Sequence, residues 1–314
     1  MKASFIPAVW FCLLLLQLSG CETEPAPLQE LGDGIQSVSL LGDTLFTRPS
    51  TLPEALEIRI DSLIDAAEAN DDDLTTMLIW QARKKAYQGE YREAIDVLSS
   101  AITQYPEDAR LYRHRGHRYI TLRAFDLAIT DFETASGLIT GTEDRVEPDG
   151  LPNALNQPTS TLHTNIYYHL GLAHYLNGNF ESAAQYYARC MGISNNNDMM
   201  IAALYWYYMS LRRGGKDEEA GKILEPVTEN LEIIENTSYH DLLLVFKGVF
   251  EEDDLLTGSE TALENATLGY GMGNWHYING RTERALEWWN AINKGQNWAA
   301  FGAIAAEAEL ARLQ

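Results

Sequence analysis

Apolar residues recur along most of this chain at intervals of three and four, the spacing of one helical face. Leu56, Ile60, Leu63, Ile64 and Ala67 form one such stripe. It predicts a helix over Leu52–Ala69, with Thr51 as cap, Pro53 in the first turn and Glu54 after it. Asn70-Asp71-Asp72-Asp73 breaks the pattern and suits the cap of the next helix. Two further stripes, Leu74–Gln88 and Tyr91–Gln104, flank Gly89 and end at Pro106, which reads as a helical hairpin. Ala94 and Ala101 share a face of its second helix, and their small side chains let another helix lie close. A hairpin this thin cannot hide its own apolar stripe, so it needs a stacked neighbour.

The neighbours are visible in the chain. Residues 109–142 repeat the pattern, with Tyr112, Gly116 and Tyr119 in a first helix and Phe125, Ala128, Phe132 and Ala135 in a second. Ala128 and Ala135 keep the spacing of Ala94 and Ala101 one unit later. A third unit, 164–197, has Tyr167, Leu170 and Gly171, then Gly178, Phe180, Ala183, Tyr187 and Cys190. A fourth, 201–234, is degenerate. Gly215, Ala220 and Leu224 fit, but Tyr208 stands where a small residue is expected, Asp217 replaces an aromatic, and Pro226 cuts or kinks the second helix. A fifth, 266–299, carries Gly273, Gly280, Ala285, Trp289 and Ile292. The proline-rich stretch Thr140–Ser160 interrupts the period as a long loop that could close over one face. His240–Phe250 reads as a helix and Glu251–Glu260 as an acidic turn. A final helix over 297–313, capped by Asn297, is expected to cover the last apolar face with Trp298, Phe301, Ile304 and Leu310. Glu307 and Arg312 are expected to face out.

With Ala82 at the eighth place of 75–108, and Gly89, Tyr91, Ala94, Ala101 and Pro106 in the later signature places, the chain resembles tetratricopeptide repeat proteins. The resemblance implies an all-α, right-handed superhelix of about five hairpins with a C-terminal capping helix, spanning 52–314. It also implies that the first helix of each unit lines a concave groove. The residues it places there include Arg83 and Tyr87; Arg110, Arg113 and His117; Tyr168 and Tyr175; Arg212; and Tyr270 and Tyr277.

Charge narrows the partner. Lys and Arg number 23 against 45 Asp and Glu, a formal charge of -22, which disfavours nucleic acid. Against that background Arg110, Arg113, His114, Arg115, His117 and Arg118 crowd one helix, and with Arg83 and Arg212 they suit a carboxylate, such as a peptide C-terminus or an acidic segment. The same residues also suit a solvated face paired with neighbouring acids. The tyrosines offer either contact area for a peptide or packing between repeats. No HExxH, GxxxxGK[ST] or GxSxG pattern is present, and His114 with His117 lacks a third ligand. The expectation is a non-catalytic protein with no cofactor and no metal. Cys190 is expected to be a small buried residue.

The N-terminus carries Lys2, an apolar run over Phe5–Leu18, and then Leu18-Ser19-Gly20-Cys21. This resembles the bacterial lipoprotein signal, with 1–20 removed and 21–51 left as a tether. The resemblance implies a diacylglycerol thioether on Cys21 and an amide-linked acyl chain such as palmitate. Glu22 in place of Asp then implies the outer membrane, facing the periplasm. Within the tether, Ser37–Phe46 suits a short extended piece. The functional expectation is an envelope lipoprotein binding a protein or peptide partner in its groove. The alternatives are a structural subunit that uses the convex face and a carrier of small ligands or glycans. A closed pocket under Thr140–Ser160 would favour the carrier.

Overall fold

The computed structural model describes residues 25–47, 52–69, 74–148, 152–256, 266–295 and 297–314. The signal segment 1–20, Cys21, the cap Thr51 and the acidic turn 70–73 lie outside the described residues. Strands β1 (Ile35–Val38) and β2 (Thr44–Phe46) form a short antiparallel hairpin where an extended piece was expected. Among the described residues, the elements that follow are helices: α1 (Glu54–Glu68), α2 (Leu74–Tyr87), α3 (Tyr91–Gln104), α4 (Ala109–Thr121), α5 (Phe125–Leu138), α6 (Leu162–Leu176) and α7 (Phe180–Ile193). Then follow α8 (Asn197–Arg213), α9 (Asp217–Ile223), α10 (Thr237–Lys247), α11 (Glu252–Leu256), α12 (Ala266–Ile278), α13 (Thr282–Asn293) and α14 (Phe301–Arg312).

Each helix from α1 to α8 packs on the next, and the first helices α2, α4, α6 and α8 also touch in series. That contact pattern is an all-α solenoid of stacked hairpins. The small residues do what their spacing implied. Ala94, Ala101, Ala128 and Ala135 are fully buried. A Cβ on Gly116 would stand 2.9 Å from the Phe132 ring, and one on Gly171 3.0 Å from the Tyr187 ring. In both units the glycine in the first helix is the hole that receives an aromatic from the second. The hairpin turns at Gly89, Gly178, Gly215 and Gly280 have φ between 72° and 85°. The equivalent turn between α4 and α5 is made by Arg123 at φ 64°, a left-handed conformation unfavourable to a residue with a Cβ.

Two parts of the C-terminal half depart from the expected array. In the fourth unit α9 stops at Ile223, ahead of Pro226, and α10 packs on α8 in addition. Tyr208, too large for the small-residue site, stacks on Phe246 of α10 at 5.0 Å. The larger departure is α14. It starts at Phe301 with Ala300 as its cap residue, and no side chain caps it. Asn297 contributes only a backbone carbonyl to Ala300 N–H. The helix is not a simple end plate: Arg312 is exposed in its last turn as expected, but Glu307 does not face water. It packs on α12, α13 and α6. Glu307 and Glu309 are 3% and 2% exposed, and Arg312 donates to the carbonyls of Tyr175 and Leu176. Ala303, Ala305, Ala306 and Ala308 are all buried; a helix covered on every side is a core helix, and this one fills the concave side of the stack.

Candidate functional site

Between α2, α4 and α6 the concave side keeps an open cavity of about 270 Å³. One turn of α2 lines it with Ala82, Arg83, Ala86 and Tyr87; α3 adds Leu98. From α4 come Arg113, His114, His117 and Arg118, whose i, i+1, i+4, i+5 spacing sets all four on one face. From α6 come Asn165 and His169, again i and i+4. The chain between α5 and α6 crosses the cavity and contributes Glu147, Pro148 and Ser160. That crossing is tied down: Val146 bridges Thr161, Leu162 N–H donates to Arg145 O at 2.9 Å, and Thr161 Oγ1 donates to Asp144 Oδ2 at 2.6 Å. Thr159 bonds Glu235, and Asn196 Nδ2 donates to Thr159 O at 2.9 Å, fixing the crossing to the fourth unit.

Glu147 is the acid of the cavity. Its Oε2 lies 3.0 Å from Arg113 Nε and accepts from Asn165 Nδ2 at 2.5 Å, and its Oε1 lies 3.0 Å from His114 Nε2. Arg113 Nη1 donates to His114 Nδ1 at 3.2 Å, so the neutral His114 carries its proton on Nε2, toward the carboxylate. Burial by itself would raise the Glu147 carboxyl. Arg113, then His114 and Arg83, override it and hold the group below the usual carboxylate range. Burial first, and then Arg113, push His114 down to about 3, against the pull of Glu147. Burial and the same arginine push His169 down to about 3, and burial with Arg118 puts His117 well below its ordinary value. At neutral pH the three imidazoles are uncharged.

The charge is therefore carried by arginines. Arg83 donates to Pro148 O at 2.7 Å and to the Tyr87 hydroxyl at 3.1 Å, and lies 4.2 Å over Trp80. The Arg118 guanidinium makes no hydrogen bond or ion pair among the described residues and sits 5.7 Å from the Tyr91 ring. Burial lowers it to about 10. Arg83, Arg113 and Arg118 line the cavity together with Glu147, inside a chain of formal charge -22. His117 and His169 lie with centroids 4.7 Å apart, and Phe301 of α14 closes on both at 5.1 and 5.6 Å.

Of the residues that the sequence placed in a groove, Arg83, Tyr87, Arg113 and His117 line this cavity. The others do not. Arg110 is held at the α2–α4 edge by Asp108 at 2.6 Å and by Thr75 and Thr76. Arg212 is bonded to Asp217 and Tyr208, each at 2.7 Å. Tyr168 is buried and accepts from Trp206 Nε1 at 2.9 Å. Tyr175 and Tyr270 are fully buried with hydroxyls 2.6 Å apart, and Tyr277 packs against Trp289 and Arg213. Tyr168, Tyr175 and Tyr270 belong to the interior because α10, α12 and α14 occupy the space the groove would have opened, and Tyr277 is half-buried. Sequence reasoning named Arg118 and His114 only as part of a basic run and missed Asn165, His169 and Glu147. The i, i+4 pair on α6 was a readable signal; Glu147 had none, because its loop reaches the cavity only in three dimensions.

Tetratricopeptide repeat models match residues 81–136 and 164–197. The crystal structure of YrrB, titled a tetratricopeptide repeat protein with an unusual peptide-binding site, is 17% identical over 74% of this chain and 92% of its own, with a TM-score of 0.42. The tetratricopeptide repeat domain of P58(IPK) is 16% identical over 83% of this chain and 76% of its own, with a TM-score of 0.29. No curated protein matches the chain. Matched repeats and serially stacked hairpins together make this an all-α solenoid that contains tetratricopeptide repeats, a fold that commonly mediates protein or peptide binding.

Proposed function

We propose that the protein is a membrane-anchored, non-catalytic adaptor of the bacterial envelope that seats an acidic group of a protein or peptide partner in the cationic cavity. The observation that carries the reading is Arg118, which lines the cavity and whose guanidinium makes no ion pair among the described residues. A partner carboxylate would supply the missing anion, and Arg gives it a bidentate, directional contact. Because α14 fills the rest of the concave side, the partner enters by a chain end or a single side chain and does not lie along the whole array. The anchor rests on Leu18-Ser19-Gly20-Cys21, with lipid on Cys21 and the outer membrane as the favoured location. A second reading, a small-ligand carrier, is favoured by one feature: the crossing at Glu147–Pro148 roofs the cavity.

Affinity capture from envelope extracts with the full chain tests the adaptor reading. Wild type and an Arg189→Glu control, changed at an exposed arginine of α7, should retain the same partner, and Arg118→Glu should lose it. Retention by Arg118→Glu would place the contact elsewhere. For the anchor, Cys21→Ser should release the chain from membranes, and wild type should carry a lipid mass on the peptide that begins at Cys21. Unchanged retention without that mass would remove the anchor.

A further inference from the structure

The cavity of the proposed function is also specific about chemistry. A half-buried guanidinium such as that of Arg118 is costly without an anion, and Glu147 is already engaged by Arg113, His114 and Asn165. Arg118 makes no ion pair with it among the described residues, so the cavity has room for a second anionic group at Arg118. Its neighbour His169 adds a constraint of opposite sense. His169 Nδ1 lies 2.7 Å from Asn165 O, a carbonyl that can only accept, so the ring proton is on Nδ1. Nε2 then presents a lone pair, which repels a bare anion and welcomes a donor. The remaining wall is apolar and shallow: Ala82 and Ala86, with Leu98 beyond. At about 270 Å³ the space lies just under the range of sites for drug-sized ligands.

Resting on the reading of this cavity as the binding site, we infer that it takes a small organic acid that carries a hydrogen-bond donor, such as a hydroxy- or amino-carboxylate. The carboxylate sits on Arg118, the hydroxyl or amine donates to His169 Nε2, and the short carbon body lies on Ala82 and Ala86. The acid is a free small molecule.

Malate and succinate, which differ by one hydroxyl, separate the two contacts. Calorimetric titration of the detergent-solubilised full chain at matched ionic strength should show saturable malate binding, with succinate weaker by about tenfold, the size expected when a buried acceptor loses its donor. Arg118→Met should weaken malate at least tenfold and Arg118→Lys less, neither melting below wild type. His169→Phe should bring malate and succinate to equal affinity. No saturable binding by wild type, equal binding of the two acids, or wild-type binding by Arg118→Met would overturn the inference. Inorganic phosphate displacing malate at equal concentration would overturn the assignment to a carboxylate. A partner that is captured through Arg118 while malate fails to bind would sink this inference and leave the adaptor standing. Malate binding by a chain that captures no partner would do the reverse.

Discussion

Arg123 and Glu307 meet as a two-point ion pair, Nε to Oε1 at 3.0 Å and Nη2 to Oε2 at 2.6 Å, across most of the chain. Arg123 occupies a hairpin turn where the other units use glycine, and its left-handed backbone costs about 1–2 kcal/mol. The guanidinium reaches out of that turn to Glu307 on α14 and to Trp298 O at 2.9 Å. Glu307 also accepts from Leu40 N–H at 2.6 Å, so one carboxylate joins the second repeat, the N-terminal hairpin and the last helix. The closure of the concave side hangs on this contact.

Glu307→Ala leaves Arg123 buried and unpaired, and should destabilise the fold by about 3–5 kcal/mol in urea denaturation. Arg123→Gly loses the same pair but relieves the strained turn, so its loss should be smaller by about 1 kcal/mol. The opposite order would mean that the pair contributes little beyond the turn.

Gly302 lets α14 touch the start of α12. A Cβ there would stand 2.0 Å from the Ala266 carbonyl oxygen, which is backbone and cannot swing aside. Inside a helix Gly→Ala ordinarily gains about 1 kcal/mol. Here overpacking of about 1–3 kcal/mol should reverse the sign, and Gly302→Ala should melt lower than wild type. A raised melting temperature would show that the two helices are not in contact.

Acid should loosen the cavity before it loosens the rest. His114 and His169 are held near 3, so below the ordinary histidine value near 6.5 the unfolded chain takes up protons that the native chain refuses. Stability therefore falls as pH drops from about 6.5 toward about 4, by about 1.4 kcal/mol per pH unit for each such ring. Glu147, held low, adds a loss that begins only below its unfolded value of about 4.3. Urea melts at several pH values should show the slope, and His169→Phe should make the part that precedes carboxylate titration shallower. A slope unchanged in that variant would mean that His169 titrates freely.

Cys190 should be silent in the native protein. It is fully buried, lies 3.4 Å from Thr164 O, and burial pushes its thiol up to about 12. Peptide mapping after a brief thiol-reagent pulse at pH 8 should find it unlabelled in buffer and labelled in denaturant. Native labelling at a similar rate would contradict the packing of α7 on α6.

Much of the array was readable because its packing is local. Gly116 meets Phe132, and Gly171 meets Tyr187, within one hairpin each, so the repeat period itself encodes the contact. Cys190 could be placed in the interior because it stands where earlier units have alanine. Arg83, Arg113 and His117 could be assigned to the concave side for the same reason. Tyr175 and Tyr270 were given the same side but not the same fate: their hydroxyls meet beneath α14, whose Glu309 lies 3.4 Å from Tyr270 and 2.7 Å from Arg213. Nothing in the period of the repeats announces that a later helix returns to cover them.

What the sequence determined alone is the helical period, the hairpin turns and the order of stacking, since each depends on residues a few turns apart. What the tertiary structure decided is how much of the concave face stays open. Arg123 and Glu307, the buried alanines of α14, and the passage of Glu147 over α4 are each set by contacts between distant parts of the chain, where the energy of closure outweighs any local preference. The cavity is what remains once those contacts are made.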